Sequence, residues 1–185
     1  MIGYPYLLED VQTQANQDAF WGPNPEWFGA EVQQAMARMA PNAKLILVGK
    51  SLGACKLLKT ARVLNSAGIT VDLLVMIDGS CAFLDGDHSD ETEAVPPNVK
   101  RVFNFRQDTN IDRQSGYQIS CSERTTGHDA VVNKYSGFVG SQLCSSSVGH
   151  NSIDECPALL NYVGRVVAAE INGNMSAVLS LLLLN

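Results

Sequence analysis

The sequence predicts an α/β fold, a mostly parallel sheet flanked by helices, and three observations carry that expectation. Lys44-Leu45-Ile46-Leu47-Val48-Gly49 is a short apolar run without alternation, which is how a strand buried on both faces of a parallel sheet reads. It passes directly into a stretch with helical spacing. Two further apolar runs follow, the first ending abruptly at Asp78-Gly79 and the second before Gln107-Asp108.

Taken in chain order, Pro25 to Met39 carries Trp27, Phe28, Val32, Ala35, Met36 and Met39 at roughly helical intervals, closed by Pro41-Asn42. This predicts a helix covering the sheet. After the first strand, Leu52, Cys55, Leu57, Leu58, Ala61, Val63 and Leu64 define a second helix that stops at Asn65 to Gly68, where asparagine and glycine suit a helix C-terminus. Val71 to Ile77 and Arg101 to Phe105 are the next two strands, and the order strand, helix, strand implies a right-handed parallel crossover. Between Gln107 and Gly149 the chain is rich in Ser, Gly, Thr and Asn and reads as long functional loops with one short strand near Val131 or Phe138. Ile153, Leu159, Leu160, Val163, Val166, Val167 and Ile171 mark a terminal amphipathic helix, with Pro157 tolerable only in its first turn.

Length and composition bound the function classes. The 185 residues suit one domain, 1–185, and no internal repeat divides them. Hydrophobic residues at 45% against charged residues at 17% describe a chain that folds. The net charge of -6 argues against nucleic-acid or anionic-membrane partners, which need a basic face, and favours a neutral or small substrate. Met1-Ile2-Gly3-Tyr4-Pro5-Tyr6 has neither the positive nor the apolar region of a secretory signal, which leaves the location open with the cytoplasm preferred. Leu181 to Leu184 is far shorter than the ~20 residues of a membrane span, and none is expected. The sequence leaves the oligomeric state open.

The five cysteines show no CxxC pair and no histidine at zinc-finger spacing, so no metal site is expected. Cys55 falls on the buried face of its helix, where cysteine commonly acts as a small hydrophobe, while Cys121, Cys144 and Cys156 lie in loop-rich sequence and could pair in an exported protein.

Gly49-Lys50-Ser51-Leu52-Gly53 is a Gly-x-Ser-x-Gly sequence at the exit of the first strand and the start of a helix. A turn this sharp crowds the backbone around the serine, so small residues are needed beside it, and Gly49, Gly53 and Ala54 supply them. The Leu52 amide at the helix N-terminus can face a developing oxyanion. A phosphate-binding loop would need glycine five positions before Gly49, where Lys44 stands. Serine needs a base, and the chain has three histidines. His88 sits in an acidic, solvated stretch that fails as a calcium loop because Pro96 occupies the closing position. His128 falls in midloop. His150, just before the terminal helix, is where a loop can hang an imidazole over the sheet edge. The acid that orients it is Asp78 or, alternatively, Asp108, each at a strand end.

Val48-Gly49-Lys50-Ser51-Leu52-Gly53-Ala54, Ile77-Asp78, Asn98 to Phe105 and Gly149-His150-Asn151-Ser152-Ile153-Asp154 together resemble lipase/esterase-type α/β hydrolases over about residues 25 to 172, in that family's order of Ser, Asp, His. The resemblance implies a three-layer α/β-hydrolase-like fold with an abbreviated sheet. It also implies ester or thioester hydrolysis through an acyl-enzyme, without a cofactor, on a small-molecule acyl ester. The chain departs from the family in carrying Lys50 where many lipases have histidine, and in lacking a His-Gly loop after an early strand. Two other functions stay open: an acyltransferase using the same three residues, and a non-catalytic binding or assembly module, suggested by the missing early strands and the aromatic N-terminus (Tyr4, Tyr6, Phe20, Trp21).

Overall fold

A computed structural model describes residues 25–79, 92–93, 95–107, 120–121, 130–136, 144 and 148–173. Among these, α1 (Pro25–Arg38) precedes β1 (Ile46–Lys50), α2 (Leu52–Ser66) and β2 (Leu73–Ile77). There follow β3 (Thr92–Glu93), β4 (Arg101–Gln107), β5 (Ser120–Cys121), β6 (Ala130–Ser136), a 3-10 turn (Ile153–Glu155) and α3 (Pro157–Ile171). The main sheet has the order β1-β2-β4-β6 and every pairing in it is parallel. The chain is thus α/β, with a small parallel sheet.

Alternation along the strands assigns the two faces. Leu74, Met76 and Val102 pack with Phe28 and Val32 of α1 and with Ala54, Cys55, Leu58, Ala61 and Leu64 of α2. Leu73, Val75, Ile77, Phe103 and Phe105 turn the other way, against Ile153 and Leu159, Tyr162, Val163 and Val166 of α3. Central β2 is covered on both faces, which is why its sequence is apolar at all five positions rather than alternating. Each fully buried Leu or Phe contributes roughly 1.5–3 kcal/mol. Gly29 lets the two helices on the first face approach, since a Cβ there would come within 2.8 Å of Val63. Tyr162 meets the edges of Phe103 and Phe105 at centroid distances of 6.5 and 5.5 Å. Burial pushes its phenol up to about 12, the Arg165 cation opposing.

The sequence reading misplaces some boundaries for local reasons. Val71 stands outside β2 as a single parallel bridge to Val99. The last helix starts at Pro157 rather than near Ile153, because a proline at N1 suits a new helix and the preceding residues close a separate 3-10 turn. The expected short strand near Val131 is β6, seven residues long; Phe138 lies outside the described residues. The pairing of β3 with β5 had no sequence signal, each being two residues long. Cys55 is fully buried but disulfide-bonded, which corrects its reading as a simple small hydrophobe. The N-terminal aromatics, His88, His128, Asp108 and Leu181 to Leu184 lie outside the described residues. No described helix is long and apolar enough to cross a membrane.

Charged residues hold the amino edge of the sheet. Buried Asp72 accepts hydrogen bonds from the Leu45 amide (3.0 Å), Lys100 Nζ (2.8 Å) and Lys44 Nζ (3.5 Å). Glu170, in the last turn of α3, accepts from Lys44 Nζ at 3.1 Å and from Arg101. Burial would raise the Asp72 carboxyl, but Lys100, the Leu45 amide and Lys44 outweigh it and hold the group below its ordinary 3.8. A carboxyl whose folded pKa is depressed gives stability that is complete above the ordinary value and lost as pH falls through the folded one. Asp72→Asn should therefore destabilise by about 1–2 kcal/mol at pH 7, given half-exposed lysine partners. In urea unfolding the gap to wild type should shrink as pH drops below ~4. A gap that persists undiminished at pH 3 would rule out an ionic role for Asp72.

Candidate active site

The site lies at the carboxyl edge of the sheet and is set by ladder register. Lys50 pairs with Ile77, and Ile77 with Phe105. The ladder then continues one step beyond the strands: Ser51 N–H donates to Ile77 O at 2.9 Å, and Asp78 N–H donates to Phe105 O at 2.6 Å. Ser51 and Asp78 thus leave adjacent strands side by side.

Both leave them in an unusual conformation. Ser51 has φ 52° and ψ -127°, and Asp78 has φ 46°. They are the two non-glycine residues with positive φ among the described residues. Such backbone costs on the order of 1–3 kcal/mol per residue and persists only where surroundings enforce it. At Ser51 the cause is the reversal from β1 into α2, with Ser51 O accepting from the amides of Ala54 (3.1 Å) and Cys55 (3.3 Å). Ser51 occupies the N-cap of α2, yet its hydroxyl makes no capping bond. That hydroxyl is instead 2.8 Å from His150 Nε2.

His150 arrives on a tight turn. The Ser152 amide donates to Gly149 O, and the Gly149 amide donates to Ser152 Oγ, both at 3.2 Å, which places His150 and Asn151 at the tip. Fully buried Ile153 anchors the turn in the core shared with Val75 and Phe103. On the far side of the ring, His150 Nδ1 lies 2.7 Å from Asp78 Oδ2. A carboxylate can only accept, so Nδ1 carries the proton, and Nε2 is left to accept from the Ser51 hydroxyl. Burial is graded along this chain: the Asp78 side chain is 0% exposed and that of His150 22%.

The structure therefore brings together Ser51, His150 and Asp78 of the residues singled out in the sequence. The alternative acid Asp108 is outside the described residues, and Asp78 makes the bond to His150. The Leu52 amide opens α2, among the first N–H groups of a helix, which have no acceptor within it. Gly49 meets the steric demand expected of it: an added Cβ would lie 2.9 Å from Gly53 C and 3.0 Å from Ala54 N. Gly53 does not, because a Cβ there meets nothing within 4 Å; Ala54 beside it is fully buried. Among the described residues no group of His, Cys, Asp or Glu could hold a metal ion.

Lys50 Nζ donates to Asn151 O at 3.3 Å, joining the elbow to the histidine turn, a contact with no signal in the sequence. Cys144 and Cys156, two of the three cysteines read as able to pair, form a disulfide that closes the segment carrying His150. They stand six residues before and six after that histidine.

The two glycines give opposite expectations. Gly49→Ala must push backbone against backbone, so it should cost about 1–3 kcal/mol and impair the site. Gly53→Ala, in the first turn of α2, should be neutral or stabilising by up to about 1 kcal/mol. Thermal unfolding of both variants checks this, and equal losses would refute the steric account of the turn.

Comparison with protein-family models, curated proteins and solved structures gave no match for this chain.

Proposed function

We propose that the protein is a serine hydrolase that cleaves carboxylic ester or thioester bonds through an acyl-enzyme, on an abbreviated three-layer arrangement of the α/β-hydrolase type. One observation carries the reading: a continuous hydrogen-bonded line, Ser51 Oγ to His150 Nε2 at 2.8 Å and His150 Nδ1 to Asp78 Oδ2 at 2.7 Å, on a serine held at positive φ between a strand and a helix. A capping serine or a surface histidine needs none of this geometry.

In the proposed reaction His150 Nε2 takes the Ser51 proton as Oγ attacks the carbonyl carbon, and Asp78 balances the imidazolium that forms. The Leu52 amide and the N-terminal end of α2 face the oxyanion. His150 then protonates the leaving alcohol or thiol. Water, deprotonated by the same imidazole, attacks the acyl-enzyme and restores Ser51. The chain's own groups supply every proton transfer in this scheme, so it calls for no cofactor.

The Cys144–Cys156 disulfide favours an oxidising compartment. The reading as a binding or assembly module keeps one observation in its favour, the 47% exposure of Val48 on β1, the outer strand of the described sheet.

A fluorophosphonate probe should label wild type at Ser51, and Ser51→Ala should abolish both labelling and turnover of short acyl esters. His150→Gln and Asp78→Asn should lower kcat/KM by about 1,000-fold or more with the fold intact by circular dichroism. Equal labelling of wild type and Ser51→Ala would overturn the assignment. A dimer without esterase activity would favour the assembly module.

A further inference from the structure

We propose that the Cys144–Cys156 disulfide is a positioning element for His150, so that turnover at Ser51 depends on the oxidised state of this pair. The proposal rests on the hydrolase reading for its effect on turnover, while its structural core concerns the imidazole alone.

The disulfide brings the Cα atoms of residues twelve apart to within 5.9 Å. A flexible chain of that length has a root-mean-square span of about 20 Å. The bond therefore holds together the two ends of the segment whose tip is the Gly149–Ser152 turn. Its placement also gives that segment a fixed reference. Cys144 and Cys156 are each 5% exposed and belong to the core on the α3 face, with Ile77, Phe105, Ile153 and, partly buried, Val148. Cys156 directly precedes Pro157, and its carbonyl accepts from the Leu160 amide at 3.0 Å, so one sulfur is tied to the start of α3. Ile77 is the residue before Asp78. One apolar cluster thus carries both the disulfide and the strand end that presents the acid.

Apart from the bond, the restraints on the segment include the turn's own hydrogen bonds, the packing of Ile153 and Val148, and the exposed contact from Lys50 to Asn151 O. Each of these is non-covalent, whereas the ring must meet Ser51 and Asp78 at 2.8 and 2.7 Å. A misplacement of 1 Å at a reacting group can cost about 100-fold. The redox step is a two-electron exchange with a small dithiol. One thiolate attacks a sulfur and breaks the S–S bond, and the second displaces the mixed disulfide. Cys144 and Cys156 leave as two thiols and the reductant leaves as its cyclic disulfide. A disulfide oxidant such as oxidised glutathione reverses the exchange.

The test compares wild type, the Cys144→Ser/Cys156→Ser double variant, and wild type reduced with dithiothreitol, its thiols identified by alkylation and mass spectrometry. The double variant separates this pair from the disulfide at Cys55, which the reductant also attacks. Ester turnover should fall about 10- to 100-fold in the double variant, mainly in kcat, with little change in KM. Reduction should cost wild type a similar factor, recovered with oxidised glutathione. The His150 ring signals in the NMR spectrum should broaden or shift in both reduced wild type and double variant, whether or not the protein hydrolyses esters. Should the double variant fail to fold, wild type reduced only until alkylation finds Cys144 and Cys156 free and Cys55 still bonded carries the comparison. Ring signals and turnover unchanged by loss of the bond would overturn the proposal while leaving the hydrolase reading intact. Ring signals that move in a protein with no Ser51-dependent labelling would sustain the positioning role and sink the hydrolase.

Discussion

The parallel register between β1 and β2 is the constraint from which the rest of the site follows. Neighbouring strands run about 4.8 Å apart, so two residues that leave adjacent strand ends at the same level stand one imidazole-width from a common partner. Lys50 opposite Ile77 creates that level for Ser51 and Asp78, and the bond from Ser51 N–H to Ile77 O locks it. A slip by one residue would turn every side chain of β2 to the opposite face, exchanging the neighbours of Leu74 and Met76 with those of Val75 and Ile77. Hydrophobic burial on both faces thus specifies a polar geometry it does not touch.

The two ends of the sheet then divide the labour. At the amino edge, Asp72 and Glu170 gather Lys44, Lys100 and Arg101 and join the start of the strands to the last turn of α3. Nothing there is strained in the backbone. At the carboxyl edge Ser51 and Asp78 are both forced to positive φ, a cost on the order of 2–6 kcal/mol for the pair. That cost is tolerable because β2, which leads into Asp78 and lies beside the strand leading into Ser51, is packed on both faces. Rigid support under strained residues is what allows a side chain to hold a direction that its own backbone disfavours.

Much of this was legible in the sequence because it is local. The passage from an unbroken apolar run into helical spacing marks β1 and α2, and the glycine before Lys50 marks the reversal between them. Asp78 is conspicuous as the polar end of five apolar residues. Other features depend on distance and left less trace. The bond from Lys50 to Asn151 joins residues 101 apart, and no spacing announces it. The choice between Asp78 and Asp108 needed coordinates, since both follow strands in the same sheet. Gly53 misled for a different reason: the pattern suggested a steric need on both sides of the serine, whereas the crowding falls on Gly49, against the backbone of Gly53 and Ala54.

In the proposed hydrolase, the gradient of burial across Ser51, His150 and Asp78 suits an acid on the strand and a base on the loop. A carboxylate that is 0% exposed has lost its water and depends on directed partners, so it needs a rigid frame; β2 and the amide bond to Phe105 O provide one. The imidazole, 22% exposed, keeps Nδ1 on Asp78 and Nε2 on Ser51, and the tight turn that carries it is set on a buried isoleucine. Exchanging the proposed roles would bury the group meant to pass protons and expose the one meant only to orient it. The order of the residues along the chain, with two strand ends first and a turn last, thus corresponds to the order in which each one needs to be held.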